Sequence, residues 1–154
     1  MKEESKEIIE SNKRSEKLVE NILSVEKKRA KLNEPRRYIE VHIEAERLVK
    51  AILSFEKFKN KNQTGYFSYK GDSDIDLDHF LIGLIYSLTL HYGNKELGVN
   101  LDLIDLVQEC SIALERSLDK FDPEMGFELP IYVYWWIVQG LKNAIDREKA
   151  NQSS

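Results

Sequence analysis

Cysteine is nearly absent from this 154-residue chain, where Cys110 stands alone. A single thiol excludes an internal disulfide and any multi-cysteine metal site, and it agrees with a reducing, cytoplasmic setting. Proline occurs three times and glycine seven, too seldom for a loop-rich or low-complexity chain. No apolar run approaches the roughly 18 residues needed to span a bilayer. The opening Met1-Lys2-Glu3-Glu4-Ser5-Lys6 lacks the apolar segment of a signal peptide. Histidine is scarce too. His42, His79 and His91 lack metal-ligand spacing, with no HExxH pair and no Cys/His cluster, so they read as surface or packing residues. No phosphate-binding loop and no nucleophile elbow occur. Asp72, Asp74, Asp76 and Asp78 alternate as in a calcium loop, but the glycine and distal glutamate such a loop needs are missing, which leaves a solvated loop and helix cap. The expectation is a non-enzyme with no metal and no cofactor.

Charge is plentiful, and it is unevenly spread. The formal net charge is −4. Residues 1–60 hold 15 Lys/Arg against 12 Asp/Glu, a net of +3, and residues 61–154 hold 8 against 15, a net of −7. A protein that binds duplex DNA by itself needs a basic patch, because neutralised phosphates supply most of its affinity. The acidic half therefore points to a basic protein partner, or to DNA contact made inside a larger complex.

Apolar periodicity organises the chain into helices, and no strand pattern of useful length occurs, so the fold class is all-α. Residues 1–34 read as a charged helical arm. Leu18, Ile22, Val25 and Leu32 form a narrow stripe within it that Arg29 interrupts. Pro35 suits the first turn of a new helix. Tyr38, Val41, Ala45, Leu48, Ile52 and Phe55 then repeat at 3–4 spacing, predicting an amphipathic helix over 35–60 that packs on the core. From about residue 59 to 74 the period gives way to Asn, Gly and Ser, and 61–74 reads as a linker loop.

Residues 75–149 read as the main helical domain. A helix begins near Asp74–Asp78, buries Leu77, Leu81, Leu84 and Leu88, and stops at Gly93. The next starts near Leu101–Asp102 and runs to Lys120. Its inward stripe is Leu103, Val107, Cys110, Leu114 and Leu118; its opposite stripe is Asp105, Gln108, Glu109, Ile112 and Glu115. Asp122-Pro123-Glu124-Met125-Gly126 is turn chemistry, with Gly126 available for positive φ. Pro130 opens a last helix that runs to about Lys149. Val133, Ile137, Leu141 and Ala144 take one side, and Tyr132, Trp135, Gln139 and Lys142 take the other. Residues 150–154 read as a frayed tail. Adjacent Trp135 and Trp136 point about 100° apart on a helix, so at least one of them belongs near the surface. An exposed aromatic beside Gln139 and Lys142 can stack on a base and hydrogen-bond its edge.

Asp105-Leu106-Val107-Gln108-Glu109, Ile112-Ala113-Leu114, Leu118-Asp119-Lys120-Phe121-Asp122-Pro123, Gly126-Phe127 and Tyr132-Val133-Tyr134-Trp135-Trp136-Ile137-Val138-Gln139 together carry a resemblance. In order and spacing they resemble the second conserved region of bacterial primary-type sigma factors, with the pattern D-L-I-Q-E-G, I-G-L, A-V-D-K-F-D, G-F/Y and S-T-Y-A-x-W-W-I-R-Q. The resemblance covers about residues 80–149 and implies a compact helical bundle. It implies that the helix of Asp105, Gln108, Glu109, Ile112 and Glu115 binds a basic coiled-coil of the largest subunit of core RNA polymerase. It further implies that Phe121, Phe127, Tyr132, Trp135 and Trp136 stack on unpaired bases of the promoter −10 element, with Gln139 and Lys142 beside them. Departures are concentrated on that second face. The family's arginine after Trp-Trp-Ile is Val138, its Ser-Thr pair is Pro130-Ile131, and basic positions have become Glu124, Met125, Glu128 and Asn143; the glycine after Gln-Glu is Cys110. The family's later helix-turn-helix domain is expected to be absent, which makes a second polypeptide supplying upstream promoter recognition a further candidate partner. Two functions follow from the resemblance: a divergent sigma factor that opens promoters, or a regulator that occupies the sigma site on polymerase without opening DNA.

Overall fold

The computed structural model describes residues 36–67, 76–95 and 102–152, with isolated helical positions at Lys17 and Asn21. Otherwise the arm over 1–34, residues 68–74 of the expected loop and Ser153–Ser154 lie outside the described residues. Among the described residues the chain is all-α. These residues form five α-helices: α1 (Arg36–Leu53), α2 (Glu56–Gln63), α3 (Leu77–Lys95), α4 (Leu103–Lys120) and α5 (Leu129–Gln152). A single 3-10 turn, Pro123–Met125, links the last two.

α3 is the central helix. Leu77, Phe80, Leu81, Ile82, Leu84, Ile85, Leu88 and Leu90 are all buried, so apolar side chains leave it in every direction rather than on the single expected face. A helix apolar all round belongs in the middle of a bundle, and α3 touches α1, α4 and α5. Its buried Thr89 is paired internally, with Oγ1 lying 3.4 Å from Cys110 Sγ of α4. Burial pushes the Cys110 thiol up to about 12, so it stays a protonated packing group at neutral pH.

Four boundaries differ from the sequence expectation. α1 ends at Leu53, not near Phe58, because Phe55 takes an extended conformation (φ −58°, ψ 132°) and starts α2 in a new direction. That break swings Phe58, which is fully buried, into the core. Residues 61–63, expected as loop, are helical, and α2 closes only at Gly65 (φ 78°), where the Tyr66 N–H donates to the Lys61 carbonyl at 3.0 Å. Gly93 does not stop α3, which runs through it to Lys95. A Cβ there would collide with Cδ2 of Leu103 and lie 3.3 Å from Cδ1 of Leu106, so the glycine serves close approach of α4, not termination. Residues 150–152, expected to fray, are the last turn of α5, and Gln152 Nε2 donates to Glu148 Oε1 at 3.3 Å.

α4 and α5 share the most extensive helix interface. Glu109 meets Arg147 and Ala113 faces Gly140, so the two helices run antiparallel. The turn between them is set by sequence chemistry. Asp122 accepts from the Glu124 N–H at 3.0 Å, Pro123 fixes the first position, and Gly126 takes φ 87°. α4 itself is capped by Asp102, whose Oδ1 accepts from the Ile104 N–H at 3.0 Å.

Candidate functional site

Two surfaces are built on the α4–α5 pair. The first is the outer stripe of α4. Leu103, Val107, Cys110, Leu114 and Leu118 are buried, as their spacing predicts, which turns Asp105, Gln108, Glu109, Ile112 and Glu115 outward. Asp105 and Gln108 are exposed, and Glu109 and Glu115 are half-buried. Ile112 is 46% exposed, an apolar side chain standing in solvent between acids. The stripe could receive a surface that is basic with an apolar centre.

The second surface is the aromatic side of α5 and the turn before it. Ile131, Val133, Ile137 and Leu141 are buried, and Trp135 is 39% exposed. Phe127 packs edge-on against Trp135 with centroids 5.0 Å apart, which holds the indole without covering it. Tyr132 and Trp136 are half-buried, 6.3 Å apart and steeply inclined. Gln139 is exposed and donates from Nε2 to Asn143 Oδ1 at 3.0 Å, and Lys142 is exposed beside it.

Phe121 does not share this exposure. It is only 3% exposed, sits at the C-cap of α4, and contacts the rings of Tyr66, Phe67 and Tyr132. Its carbonyl accepts from the Tyr66 hydroxyl at 2.5 Å. In this structure it offers no face to a base; its place is to prop Tyr132 from beneath. The expectation of a stacking role for Phe121 is corrected on that ground.

Between the surfaces runs a groove of about 690 Å³, lined by Glu109, Ile112 and Arg116 of α4 and by Trp136, Gln139 and Arg147 of α5. It exists because Gly140 lets the helices close up: a Cβ there would lie 3.2 Å from that of Ala113. Arg147 reaches across, with Nη2 2.8 Å from Glu109 Oε1. Arg116 and Arg147 escaped the sequence reading. The signal was present, since Gln139, Asn143 and Arg147 repeat at four-residue spacing and so share one polar row.

The sigma-70 region 2 family matches residues 81–151, which takes in α4, the turn and nearly all of α5. Residues 81–151 are similar to sigma-70 region 2. The chain is 44% identical over 63 residues to RNA polymerase sigma factor SigA4 of Synechococcus elongatus, covering 41% of this chain and 19% of that protein. It is 45% identical over 62 residues to the RNA polymerase sigma-C factor of Nostoc, covering 40% and 14%. It is 47% identical over 62 residues to the chloroplastic RNA polymerase sigma factor sigD of Arabidopsis thaliana, covering 40% and 14%. The chain thus spans less than a fifth of the length of these relatives. No solved structure matches it. No helix among the described residues is long and apolar enough to cross a membrane, and no group of metal-ligating side chains occurs among them. Of the positions that depart from the family pattern quoted above, Val138 packs half-buried against the core and Glu124 is exposed.

Proposed function

We propose that this protein acts in transcription initiation as a sigma-type factor, docking on core RNA polymerase and contacting the −10 region of a promoter as single-stranded DNA. Docking would use the α4 stripe of Asp105, Gln108, Glu109, Ile112 and Glu115 against the basic coiled-coil of the largest subunit. Capture of the single strand would use Tyr132, Trp135 and Trp136 with Phe127, Gln139 and Lys142. The observation that carries the reading is the exposed Trp135 on one stripe with Tyr132 and Gln139, on a helix adjacent to an intact acidic stripe. A stacked base gains enough to offset an unpairing cost of a few kcal/mol. No catalytic step is assigned to the protein, and its place of action would be the cytoplasm, where polymerase works.

One observation favours a second reading. The turn that precedes α5 carries Asp122, Glu124 and Glu128 beside the aromatic face, and these acids repel phosphates. A polymerase-binding competitor that leaves DNA closed would be built this way. Run-off transcription with core polymerase and the full chain on a pre-melted promoter separates the two. A transcript that depends on the chain supports the factor. Polymerase binding without a transcript, and without capture of single strands, overturns it in favour of the competitor. The docking surface has its own test. Asp105→Lys with Glu109→Lys places like charges across the interface at a cost of several kcal/mol; if this double variant co-purifies with core polymerase as well as wild type, the α4 surface is not the docking site.

A further inference from the structure

The single-strand face lacks cations where it is richest in rings. Residues 119–128 hold four acids and one lysine, and Lys142 is the one lysine of the Trp135 stripe. A strand held by stacking alone would meet net repulsion along its phosphates. The structure supplies cations from elsewhere in the chain. α2 carries Lys57, Lys59 and Lys61 with a single glutamate, and the fold sets it against the end of α4. Lys57 Nζ lies 3.1 Å from Asp119 Oδ1 and 4.7 Å over the Phe58 ring. Lys61 Nζ lies 5.1 Å over the Tyr66 ring.

Rings connect this helix to the α5 face without a gap. Trp136, Tyr132, Phe121 and Tyr66 form a row whose successive centroids are 6.3, 5.7 and 6.1 Å apart. Phe121 is the buried middle member, and Tyr132 and Tyr66 rise half-exposed on either side of it. The Tyr66 hydroxyl is tied to the Phe121 carbonyl, so its ring has a fixed orientation. Aromatic rings in a row, flanked by lysines at one end, are the arrangement that holds single strands irrespective of sequence, the rings through bases and the cations through phosphates.

We propose that α2 and Tyr66 form a second single-strand DNA subsite, in which Lys57 and Lys61 bind phosphates of the strand whose bases stack on the α5 face. The subsite rests on the single-strand reading of α5 above. Lys57 exchanges its carboxylate partner, Asp119, for a phosphate; both side chains are about half-exposed, so the ion pair given up is a weak one. The α2 lysines thereby replace, from a different helix, the cations missing from the turn.

The test measures fluorescence anisotropy of a labelled, mixed-sequence single-stranded DNA oligonucleotide. It uses the full chain assembled on core polymerase, between about 50 and 200 mM salt. Wild type is compared with the double variants Lys57→Gln/Lys61→Gln and Lys57→Arg/Lys61→Arg and with Trp135→Ala. Removing two phosphate contacts should lower the slope of log affinity against log salt by about 1.4 for a single strand, so wild type loses about sevenfold more affinity than the glutamine variant across this range. The arginine variant should keep the wild-type slope, and all should melt alike and stay on polymerase alike. An unchanged slope in the glutamine variant overturns the subsite, and if Trp135→Ala still weakens capture, the reading of α5 survives alone. Loss of polymerase retention in the glutamine variant overturns it too, because α2 would then contact protein. Tighter binding of single-stranded RNA than of DNA overturns the choice of strand. No capture by wild type at any salt removes both sites together.

Discussion

Arg147 reaches from α5 to α4 and sets its Nη2 2.8 Å from Oε1 of Glu109, across 38 residues of sequence. Glu109 is also a member of the acidic stripe proposed to meet polymerase. An internal cation thus occupies a carboxylate that a basic partner would need, and docking must displace it or share it.

Arg147→Ala should therefore act on the partner and leave the fold nearly unchanged. The Arg147 side chain is 64% exposed, and ion pairs of that kind contribute about 0–1 kcal/mol, so the melting temperature should barely move. Freed from its internal partner, Glu109 should hold a basic coiled-coil more tightly, by a few-fold at low salt. Equilibrium binding of core polymerase measures this. Weaker binding in the variant would assign Arg147 to the interface itself.

Ile112 and Leu114 stand two residues apart on α4 and have opposite surroundings: one is 46% exposed and the other fully buried. Leu114→Ala should cost about 2–5 kcal/mol of stability, from lost burial and the cavity left behind. Ile112→Ala should leave stability within about 0.5 kcal/mol and weaken polymerase binding. Chemical denaturation and a polymerase pull-down on the same two variants check both halves. An Ile112→Ala protein that unfolds early would place that side chain in the core.

The sequence made this contrast legible, because an eighteen-residue helix with one apolar stripe has only one way to face a core. The same logic put Trp135 and Trp136 in different environments. It failed where periodicity carries no information. α2 buries Phe58 alone, and one apolar residue has no period, so the break before it and its last turn went unread. Gly93 reads as a stop by composition, yet its reason is Leu103 of another helix, a contact without local signal. Phe121 follows the last turn of α4, where the stripe no longer says which way a ring turns; the resemblance assigned it to DNA, and Tyr66 and Phe67, more than fifty residues earlier, enclose it.

Acid should loosen the start of α3. Asp76 Oδ1 accepts from the His79 backbone N–H at 2.9 Å and lies 2.7 Å from the His79 ring. The backbone N–H first, then the ring, hold the Asp76 carboxyl below its ordinary range. A carboxyl depressed in the folded state stabilises fully above its unfolded value, about 3.9, and that stabilisation is lost as pH falls through the folded value. The group is exposed, so the effect is small. Asp76→Ala should lower stability by about 1 kcal/mol or less near neutral pH and should flatten the fall in melting temperature below about pH 4. Parallel melts of both proteins across that range decide it; identical slopes would mean that the cap does not titrate with folding.

Trp135 is where factor and competitor part. Its indole is 39% exposed and braced edge-on by Phe127, while Ile137 and Leu141 on the opposite side of α5 are fully buried. Removing the indole should leave the fold nearly intact, because the buried side supplies the packing. It should also leave polymerase binding intact, because the acidic stripe lies on α4. Capture of single-stranded non-template DNA by the polymerase complex should weaken by about 1–3 kcal/mol, the usual worth of one base–aromatic stack. Phe127→Ala should give a smaller loss in the same assay, since it removes the brace and leaves the stacking ring. With Glu124 and Glu128 beside the strand, capture should be strongest at low salt, where the remaining lysine contacts are least screened. If Trp135→Ala captures single strands as well as wild type while both bind polymerase equally, the α5 face does not hold bases, and the acidic turn is then the mark of a protein that occupies polymerase and keeps DNA closed.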